Sequence, residues 1–405
     1  MRMMPDRKKH IDAAPGQRIT PSLLGDLLAF AARHPDAGIV HTFPASPAAP
    51  ADERQVRYVQ DAGLAPLLHV ALREGFVQVP DGCREPLRGA DLAAQVRHAN
   101  RVEVAAEVID VCAALGARTT LLKGISISDQ HYPAAHLRPM GDIDILVPAQ
   151  AASIVEAELL RLGHQRVSNV QPRDGAHHGI PLHHPRRRAW TEIHTALFPA
   201  DAGIDGTLFS PSRILEQSVP STFAGRPVYR FTPEFQLAYL ATGWLRDLSG
   251  NAIHPTLAVP LFDAVYLLKS VGTRFDWDAV ARRVDNDTTA AALDLMLTQL
   301  SRRGLCPDLS PFLSRLAQRP RKVGAIEARI LHRMLEDHLI AGRPFPRYIG
   351  SWHAQGIFNT LLLPGTTAAK LLRIPWNMAF PPGIAERYDP RWQFRRIAAL
   401  LRKES

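Results

Sequence analysis

Cysteine and long apolar runs are both scarce in this sequence of 405 residues. Cys83, Cys112 and Cys306 lie far apart and form no Cys-x-x-Cys pair. This pattern argues against a disulfide framework or a cysteine metal site, and it fits a reducing cytoplasm. No window approaches the roughly eighteen consecutive apolar residues of a membrane-spanning helix. The basic N-terminal segment is not followed by an apolar stretch, so we expect no signal peptide and a cytoplasmic protein.

Two nucleotide-related patterns are also missing. The sequence has no Gly-x-x-x-x-Gly-Lys-Ser/Thr motif, which disfavours a P-loop kinase. Its basic residues are not interleaved with aromatic ones, which make up 7% of the chain, and this argues against a surface for single-stranded nucleic acid. Lys and Arg number 48 against 39 Asp and Glu, a net charge of +9. This modest surplus suits an anionic partner such as a nucleotide, and we expect no binding to DNA.

The spacing of apolar residues predicts mostly helices, with a short β-containing stretch in the middle of the chain. Helices are predicted over about 22–34, 64–72, 90–115, 149–162, 235–248, 257–270, 277–283 and 288–300, and strands over 119–122, 143–147 and 190–197. Strands and helices interleaved within about 90 residues are typical of a compact α/β unit.

These elements divide the chain into five predicted regions. They are a flexible basic tail, an N-terminal helical region, an α/β core, a C-terminal helical domain and a C-terminal wrap, at 1–20, 21–115, 116–225, 226–345 and 346–405. The last region contains several prolines and aromatic residues, so we expect it to cover the core as an irregular wrap. An interfacial contact with a membrane is the alternative.

The informative motif is Asp142-Ile143-Asp144 at the start of a predicted strand. Side chains on a strand alternate between its faces, so both aspartates point the same way, with their Cα atoms roughly 6.5–7 Å apart. Two carboxylates at this separation can converge on a hard cation such as Mg²⁺, which also prefers substrate phosphates as ligands. An Asp-x-Asp pair alone, however, often caps a turn.

Three further features favour chemistry at this motif. Lys123-Gly124 breaks the preceding strand, and a glycine there lets backbone N–H groups approach a phosphate near a helix N-terminus. Arg138 lies four residues before Asp142, within reach of the same anion. Glu192 stands in the middle of a later strand, where a lone carboxylate is costly to bury and needs a partner such as a metal ion.

With these features the sequence resembles the polymerase-beta-type nucleotidyltransferase superfamily. More narrowly, it looks like a bacterial family of uncharacterised nucleotidyltransferases with helical flanks. The resemblance rests on Leu121-Leu-Lys-Gly124, Tyr132-Pro133, Arg138-Pro-Met-Gly-Asp-Ile-Asp-Ile-Leu-Val147 and Glu192-Ile-His194. It extends from about residue 60 to 300, and the segment 380–388 also resembles the C-terminal end of that family.

The resemblance implies a catalytic triad of carboxylates. Asp142 and Asp144 would hold two Mg²⁺ ions, and Glu192 would ligate the ion beside the attacking hydroxyl and help to activate that hydroxyl. The implied reaction is in-line attack of an acceptor hydroxyl on the α-phosphorus of an NTP, with release of pyrophosphate. Catalysis would come mainly from positioning and charge neutralisation.

The resemblance also implies a nucleotide site beside the triad. Gly124 would face the triphosphate, and Lys123 and Arg138 would counter its charge. In the superfamily the turn glycine is followed by Ser or Gly, whereas here Ile125 follows and Ser126 supplies the nearest hydroxyl. We expect the NTP to be ATP.

Three other polar features have no assigned role from the sequence. The His- and Arg-rich segment 177–188 could offer zinc ligands, but we favour a solvated basic loop near the nucleotide phosphates. His194 shares a strand face with Glu192 and either lines the active site or hydrogen-bonds that carboxylate. Asp263 lies within an apolar helix, where it either orients a ligand or satisfies a helix end.

The expected fold is α+β, with a small mixed β-sheet nucleotidyltransferase core flanked by N- and C-terminal helical regions. The expected function is Mg²⁺-dependent transfer of an NMP to an unknown small-molecule, peptide, protein or RNA acceptor. The alternative is a catalytically idle nucleotide-binding or scaffold protein of the same fold. A nucleic-acid-binding protein that uses the +9 charge is the third possibility.

Overall fold

The structure is a computed structural model of the chain. It describes residues 21–33, 50–168, 175–251, 253–307, 309–317, 323–345, 351–362, 366–380 and 389–402. The predicted basic tail, 1–20, and nearly all of the segment 380–388 lie outside the described residues.

The strands form a mixed sheet. Within the described residues they are Thr120–Leu121 (β1), Ile143–Leu146 (β2), Gln165–Arg166 (β3), Leu182–His184 (β4), Ala189–His194 (β5), Ser218–Phe223 (β6) and Arg226–Phe231 (β7). Their order is β3-β4-β5-β2-β1-β7-β6. Parallel pairing joins β2 to β5 and β1 to β7, whereas the other neighbours are antiparallel. The predicted mixed sheet is confirmed, and through β7 it continues past residue 225.

Helices make up most of the remaining described residues. They are Leu23–Ala32 (α1), Glu53–Asp61 (α2), Ala65–Arg73 (α3), Arg84–Ala114 (α4), Lys123–His131 (α5), Ala149–Arg161 (α6), Pro211–Glu216 (α7), Pro233–Asn251 (α8), Val259–Val271 (α9), Trp277–Arg283 (α10), Asp287–Ser301 (α11), Ser310–Ala317 (α12), Ala325–Met334 (α13), Ser351–Leu362 (α14), Thr367–Ala379 (α15) and Pro390–Arg402 (α16). In the described part of the chain, no helix combines the length and the apolar character needed to cross a bilayer.

Local signals explain three helix ends, of which those of α1 and α4 agree with the predicted bounds, whereas α2 was not predicted. The Ser22 hydroxyl accepts a hydrogen bond from the N–H of Gly25 and caps α1. Asp52 and Gln55 form a reciprocal capping box at the start of α2. Gly116 follows α4 with φ +64°, the left-handed conformation that glycine adopts without strain.

Two predictions about irregular chain are wrong. The C-terminal region contains α14, α15 and α16 rather than an irregular wrap. Proline usually interrupts a helix, but Pro390 occupies the first position of α16, where proline is well tolerated, and Pro375 lies within α15. The segment 177–188, predicted as a solvated loop, contains β4. A strand of three residues is too short to show a period in the sequence.

Two hydrophobic cores hold the molecule together. In the first, apolar residues of the sheet, among them Ile143 and Ile145, pack with those of α4 and α6. Cys112 is fully buried in this core. In the second, the N-terminal helices α1–α3 share a core with α8, α9 and α11. The sheet therefore lies against a helical body to which both ends of the chain contribute.

Candidate active site

The Asp-x-Asp pair lies at the start of the central strand β2. Ile143 and Ile145 are fully buried in the core between the sheet and α4 and α6. Because side chains alternate along a strand, Asp142 and Asp144 share the opposite face. Asp144 is 3% exposed and Asp142 is half-buried. The predicted alternation of this segment is confirmed.

Glu192 lies beside the pair because β5 runs parallel to β2. The register places Asp144 directly next to Glu192. His194 comes two residues later on the same face, and its Nε2 lies 2.7 Å from Asp144 Oδ1 and 3.4 Å from Glu192 Oε2. The ligand atoms of these three side chains all lie within 4.8 Å of one another. The structure thus brings Asp144 and Glu192 together as predicted, and shows that His194 contacts both of them.

The pKa values of Asp142 and Asp144 are shifted in opposite directions. Burial, followed by the charges of Asp144 and Glu192, raises the pKa of Asp142 to about 6. Burial would also raise the pKa of Asp144, but the Lys123 ammonium and the hydrogen bond from His194 hold it well below its usual range. Asp144 is therefore ionised at neutral pH, whereas the charge of Asp142 is poorly compensated.

Lys123 lies where β1 passes into α5, as the break in the predicted strand indicated. Its Nζ lies 3.2 Å from Asp144 Oδ1. The lysine side chain is 43% exposed while that of Asp144 is 4% exposed. The ammonium group therefore connects the buried carboxylate to the solvent-exposed side of the site.

Gly124 provides space for a neighbouring side chain. It is buried in the first turn of α5, and a Cβ at this position would lie 2.5 Å from Arg138 Nη1 and 2.9 Å from Met140 Cγ. Such distances are far below ordinary van der Waals contact, so a larger residue here would displace the side chains of Arg138 and Met140. The predicted contact of Gly124 with a triphosphate stays a prediction.

Arg138 pairs with Asp263 inside the protein. Its Nε and Nη2 donate to the two carboxylate oxygens of Asp263, each at 2.8 Å, and Tyr132 Oη donates to Asp263 Oδ1 at 2.8 Å. Arg138 Nη1 also donates to the Pro139 carbonyl at 3.1 Å. Arg138 thus anchors the loop that leads to Asp142 onto α9, and its predicted contact with a nucleotide remains a prediction. The Asp263 carboxylate is thus held by Arg138 and Tyr132 rather than by a helix end, and a role in orienting a ligand stays a prediction.

Ser126 lies one turn into α5 and is fully buried. Its Oγ donates to Gln130 Oε1 at 3.3 Å. The hydroxyl therefore has a partner within its own helix, and a contact with nucleotide phosphates stays a prediction for this residue.

Further polar side chains near the carboxylates were not predicted from the sequence. Burial, followed by the charge of Arg97, lowers the pKa of Arg101 on α4, and the nearby Asp142 carboxylate offsets part of this shift. Arg246 on α8 is exposed, yet its charge reaches His177. Burial, together with nearby positive charges that include Arg246, lowers the pKa of His177 to about 3. These residues belong to helices far apart in sequence, and no motif marks them.

The His- and Arg-rich segment requires a correction beyond its secondary structure. His177 is buried, and the rings of His177 and His178 lie 5.2 Å from the ring of His194. His178 Nε2 lies 3.7 Å from Glu192 Oε2. Part of this segment is therefore a wall of the site rather than a solvated loop.

A second group of metal-ligand side chains, Glu107, His164 and His184, lies apart from these carboxylates. His164 Nε2 lies 3.0 Å from Glu107 Oε1. The N–H of Arg187 donates to His184 Nδ1 at 3.1 Å, so the proton of a neutral His184 ring is on Nε2, where it blocks metal binding. The contacts of His164 and His184 with the Glu107 carboxylate explain why these three side chains lie together.

Comparison with known proteins addresses the identity of this fold. No curated protein sequence matches the chain. Among solved structures, the solution structure of the antibiotic-resistance factor ANT(2'')-Ia is 15% identical with a TM-score of 0.31, and the match covers 50% of this chain and 96% of that one. Residues 50–303 match the model of a family described as uncharacterised nucleotidyltransferase. This range includes every predicted site residue, and the chain therefore belongs to the family of uncharacterised nucleotidyltransferases.

Proposed function

We propose that this protein transfers an NMP from an NTP, ATP by preference, to a hydroxyl group of an acceptor, in a reaction that depends on Mg²⁺. The acceptor is a small molecule, a peptide, a protein or an RNA end. The observation that carries the proposal is the register that aligns Asp144 with Glu192 on adjacent parallel strands, next to Asp142 and Lys123.

The residues fit a hard divalent cation. Asp142, Asp144 and Glu192 offer carboxylate oxygens, the ligands that Mg²⁺ prefers. Burial, and then the charges of Asp144 and Glu192, raise the pKa of Asp142, and a bound cation would offset both effects. When bound, Mg²⁺ supplies charge neutralisation for the triphosphate and lowers the pKa of the attacking hydroxyl.

The chain itself would position the reactants. Lys123, half exposed beside Asp144, can pair with a phosphate oxygen and hold the triphosphate over the carboxylates. Glu192 would accept the proton of the acceptor hydroxyl as its oxygen forms a bond to the α-phosphorus. The bond from the α-phosphorus to the bridging oxygen then breaks, and pyrophosphate leaves.

The test is transfer of label from NTPs carrying ³²P at the α-position to components of a cell extract. We expect label transfer with wild type in Mg²⁺, more from ATP than from the other three NTPs, and none with Asp142→Asn/Asp144→Asn. Glu85→Gln, which removes an exposed carboxylate on α4, is the matched control and should retain the activity. A γ-phosphate label should not be transferred.

Persistence of the transfer in the double variant would refute the mechanism. If wild type binds ATP but transfers no label to any fraction of the extract, the scaffold alternative is supported instead. Binding to RNA or DNA duplexes with a steep dependence on salt would support the nucleic-acid alternative.

A further inference from the structure

Two histidines lie on either side of Glu192, and their positions are related by strand pairing. His178 and His194 oppose each other in an antiparallel bridge, with the N–H of Gly179 donating to Ile193 O at 3.0 Å. The Nε2 atoms of both rings face Glu192 Oε2, at 3.7 Å from His178 and 3.4 Å from His194. Both side chains are thus candidates for metal ligation beside the carboxylates.

The hydrogen bond of His178 determines which of its nitrogens carries the proton. Nδ1 lies 2.7 Å from the carbonyl oxygen of Gly179. A carbonyl oxygen can only accept, so Nδ1 donates and Nε2 of the neutral ring presents its lone pair. This is the usual arrangement of a metal-binding histidine, whose other N–H is held by a carbonyl or a carboxylate.

The lone pair of His178 Nε2 then faces the negatively charged Glu192 carboxylate at 3.7 Å. Two acceptors that face each other repel, and a cation bound between them would relieve this repulsion. Two ligands bound at about 2.0–2.2 Å to one ion lie roughly 3–3.5 Å apart, so a shift of a few tenths of an ångström would bring these atoms to ligation distance.

The hydrogen bond of His194 has the opposite consequence. Its Nε2 lies 2.7 Å from the ionised Asp144 carboxylate, so the proton is on Nε2. For Nε2 to bind a metal, this proton would have to move to Nδ1. That atom is buried, and it has no hydrogen-bond partner among the described residues. A buried donor without an acceptor is unfavourable, and this disfavours ligation by His194.

We propose that His178 is a nitrogen ligand of the metal ion held with Glu192, and that His194 is a positioning residue that orients Asp144. The inference rests on the proposed function and deepens it by naming the ligand set. An imidazole ligand increases the affinity for transition metals relative to Mg²⁺. We therefore expect the site to bind Mn²⁺ more tightly than Mg²⁺.

The test is pulsed EPR of Mn²⁺ bound to the full-length protein, which detects directly coordinated nitrogen. We expect ¹⁴N modulation of the Mn²⁺ signal in wild type, its loss in His178→Ala, and its retention in His194→Gln. His183→Ala is the matched control, because His183 belongs to the same segment but packs against Trp190. His178→Ala should also weaken Mn²⁺ binding at least tenfold, and Mg²⁺ binding by less.

Labelling the histidines of wild type with ¹⁵N tests nitrogen ligation without any substitution. If a histidine coordinates Mn²⁺, the ¹⁴N modulation of the EPR signal should disappear and ¹⁵N modulation should take its place. Wild type that binds Mn²⁺ without nitrogen modulation, or does not bind Mn²⁺ at all, would overturn the inference. So would modulation that persists in His178→Ala and is lost in His194→Gln. Label transfer from α-labelled ATP in Mg²⁺ is measured separately, so failure of the proposed function is distinguishable from failure of this assignment.

Discussion

The Asp263 carboxylate is fully buried outside the candidate site, and its replacement by Asn should lower the free energy of unfolding by about 3–5 kcal/mol. Asp263 is fully buried and accepts three hydrogen bonds of 2.8 Å from Arg138 and Tyr132. Asn has nearly the same shape but no charge. The substitution therefore leaves the guanidinium of Arg138, which is 11% exposed, without a counter-charge in a place that water barely reaches.

The measurement is urea unfolding of wild type and variant at pH 7, followed by circular dichroism. The chain offers a matched control in Asp110, which forms a bidentate pair with Arg226 at 2.7 and 2.8 Å. The side chains of that pair are 57% and 34% exposed. Because water screens and solvates exposed charges, Asp110→Asn should cost no more than about 1 kcal/mol.

A double substitution separates burial of the charge from loss of the contact. Arg138→Met with Asp263→Leu removes both charges and fills the space with apolar atoms, so it should cost much less than Asp263→Asn alone. If Asp263→Asn costs no more than Asp110→Asn, the pair does not anchor the loop before Asp142 and the reasoning is refuted. A double variant that is less stable than Asp263→Asn would contradict it as well.

Three further predictions concern glycine packing, repulsion in the site and pH. Gly124→Ala should destabilise the fold by roughly 1–3 kcal/mol, because its Cβ would lie 2.5 Å from Arg138 Nη1. In a chelating buffer at pH 7, Asp142→Asn should stabilise the fold by roughly 1–3 kcal/mol while abolishing transfer. The pKa of Asp142 is about 6 in the folded protein, above its value in the unfolded chain, so ionisation of Asp142 destabilises the protein as pH rises from about 4 to 6. Burial lowers the pKa of His332 to about 4, so its contribution to stability should be lost as pH falls from about 6.5 to 4, by roughly 2–3 kcal/mol.

Denaturant unfolding measures all three, each with its own comparison. Gly141→Ala, where an added Cβ meets no atom within 4 Å, should stay within about 0.5 kcal/mol of wild type, and equal effects at both glycines would contradict the packing argument. An Asp142→Asn variant less stable than wild type at pH 7 would exclude repulsion among the carboxylates. His332→Gln should lose less unfolding free energy than wild type when the pH falls from 7 to 4. If the two proteins lose the same amount, His332 is not the source of the acid destabilisation.

Local signals in the sequence predicted half of the sixteen α-helices in the described residues, and the strands that carry the carboxylates. Apolar periodicity and capping residues act within a few positions of the chain, and the bounds of α1, α10 and α11 agree closely with them. The short strands β3 and β4 were missed because two or three residues show no period. The helices of the C-terminal region were not predicted, because proline usually interrupts a helix and the sequence does not show where it is tolerated.

The candidate site shows the same division between local pattern and long-range packing. Alternation along one strand was enough to place Asp142 and Asp144 on a common face. The partner of Arg138 could not be predicted in this way, because Asp263 is 125 positions further along the chain. The sequence showed that Asp263 is an unusual residue in an apolar helix, but not which charge it binds.

The sequence by itself determined the class of enzyme to which the protein belongs. The motif from Arg138 to Val147, followed by Glu192, was sufficient to indicate a nucleotidyltransferase, and the family match confirms it. Only the tertiary structure decided which side chains surround these carboxylates. The register of β2 on β5, the pairing of His178 with His194 and the packing of α4 and α8 beside the sheet depend on contacts between distant segments. Such contacts form because buried charges require partners and apolar faces require cover, and these needs can be met by residues from anywhere in the chain.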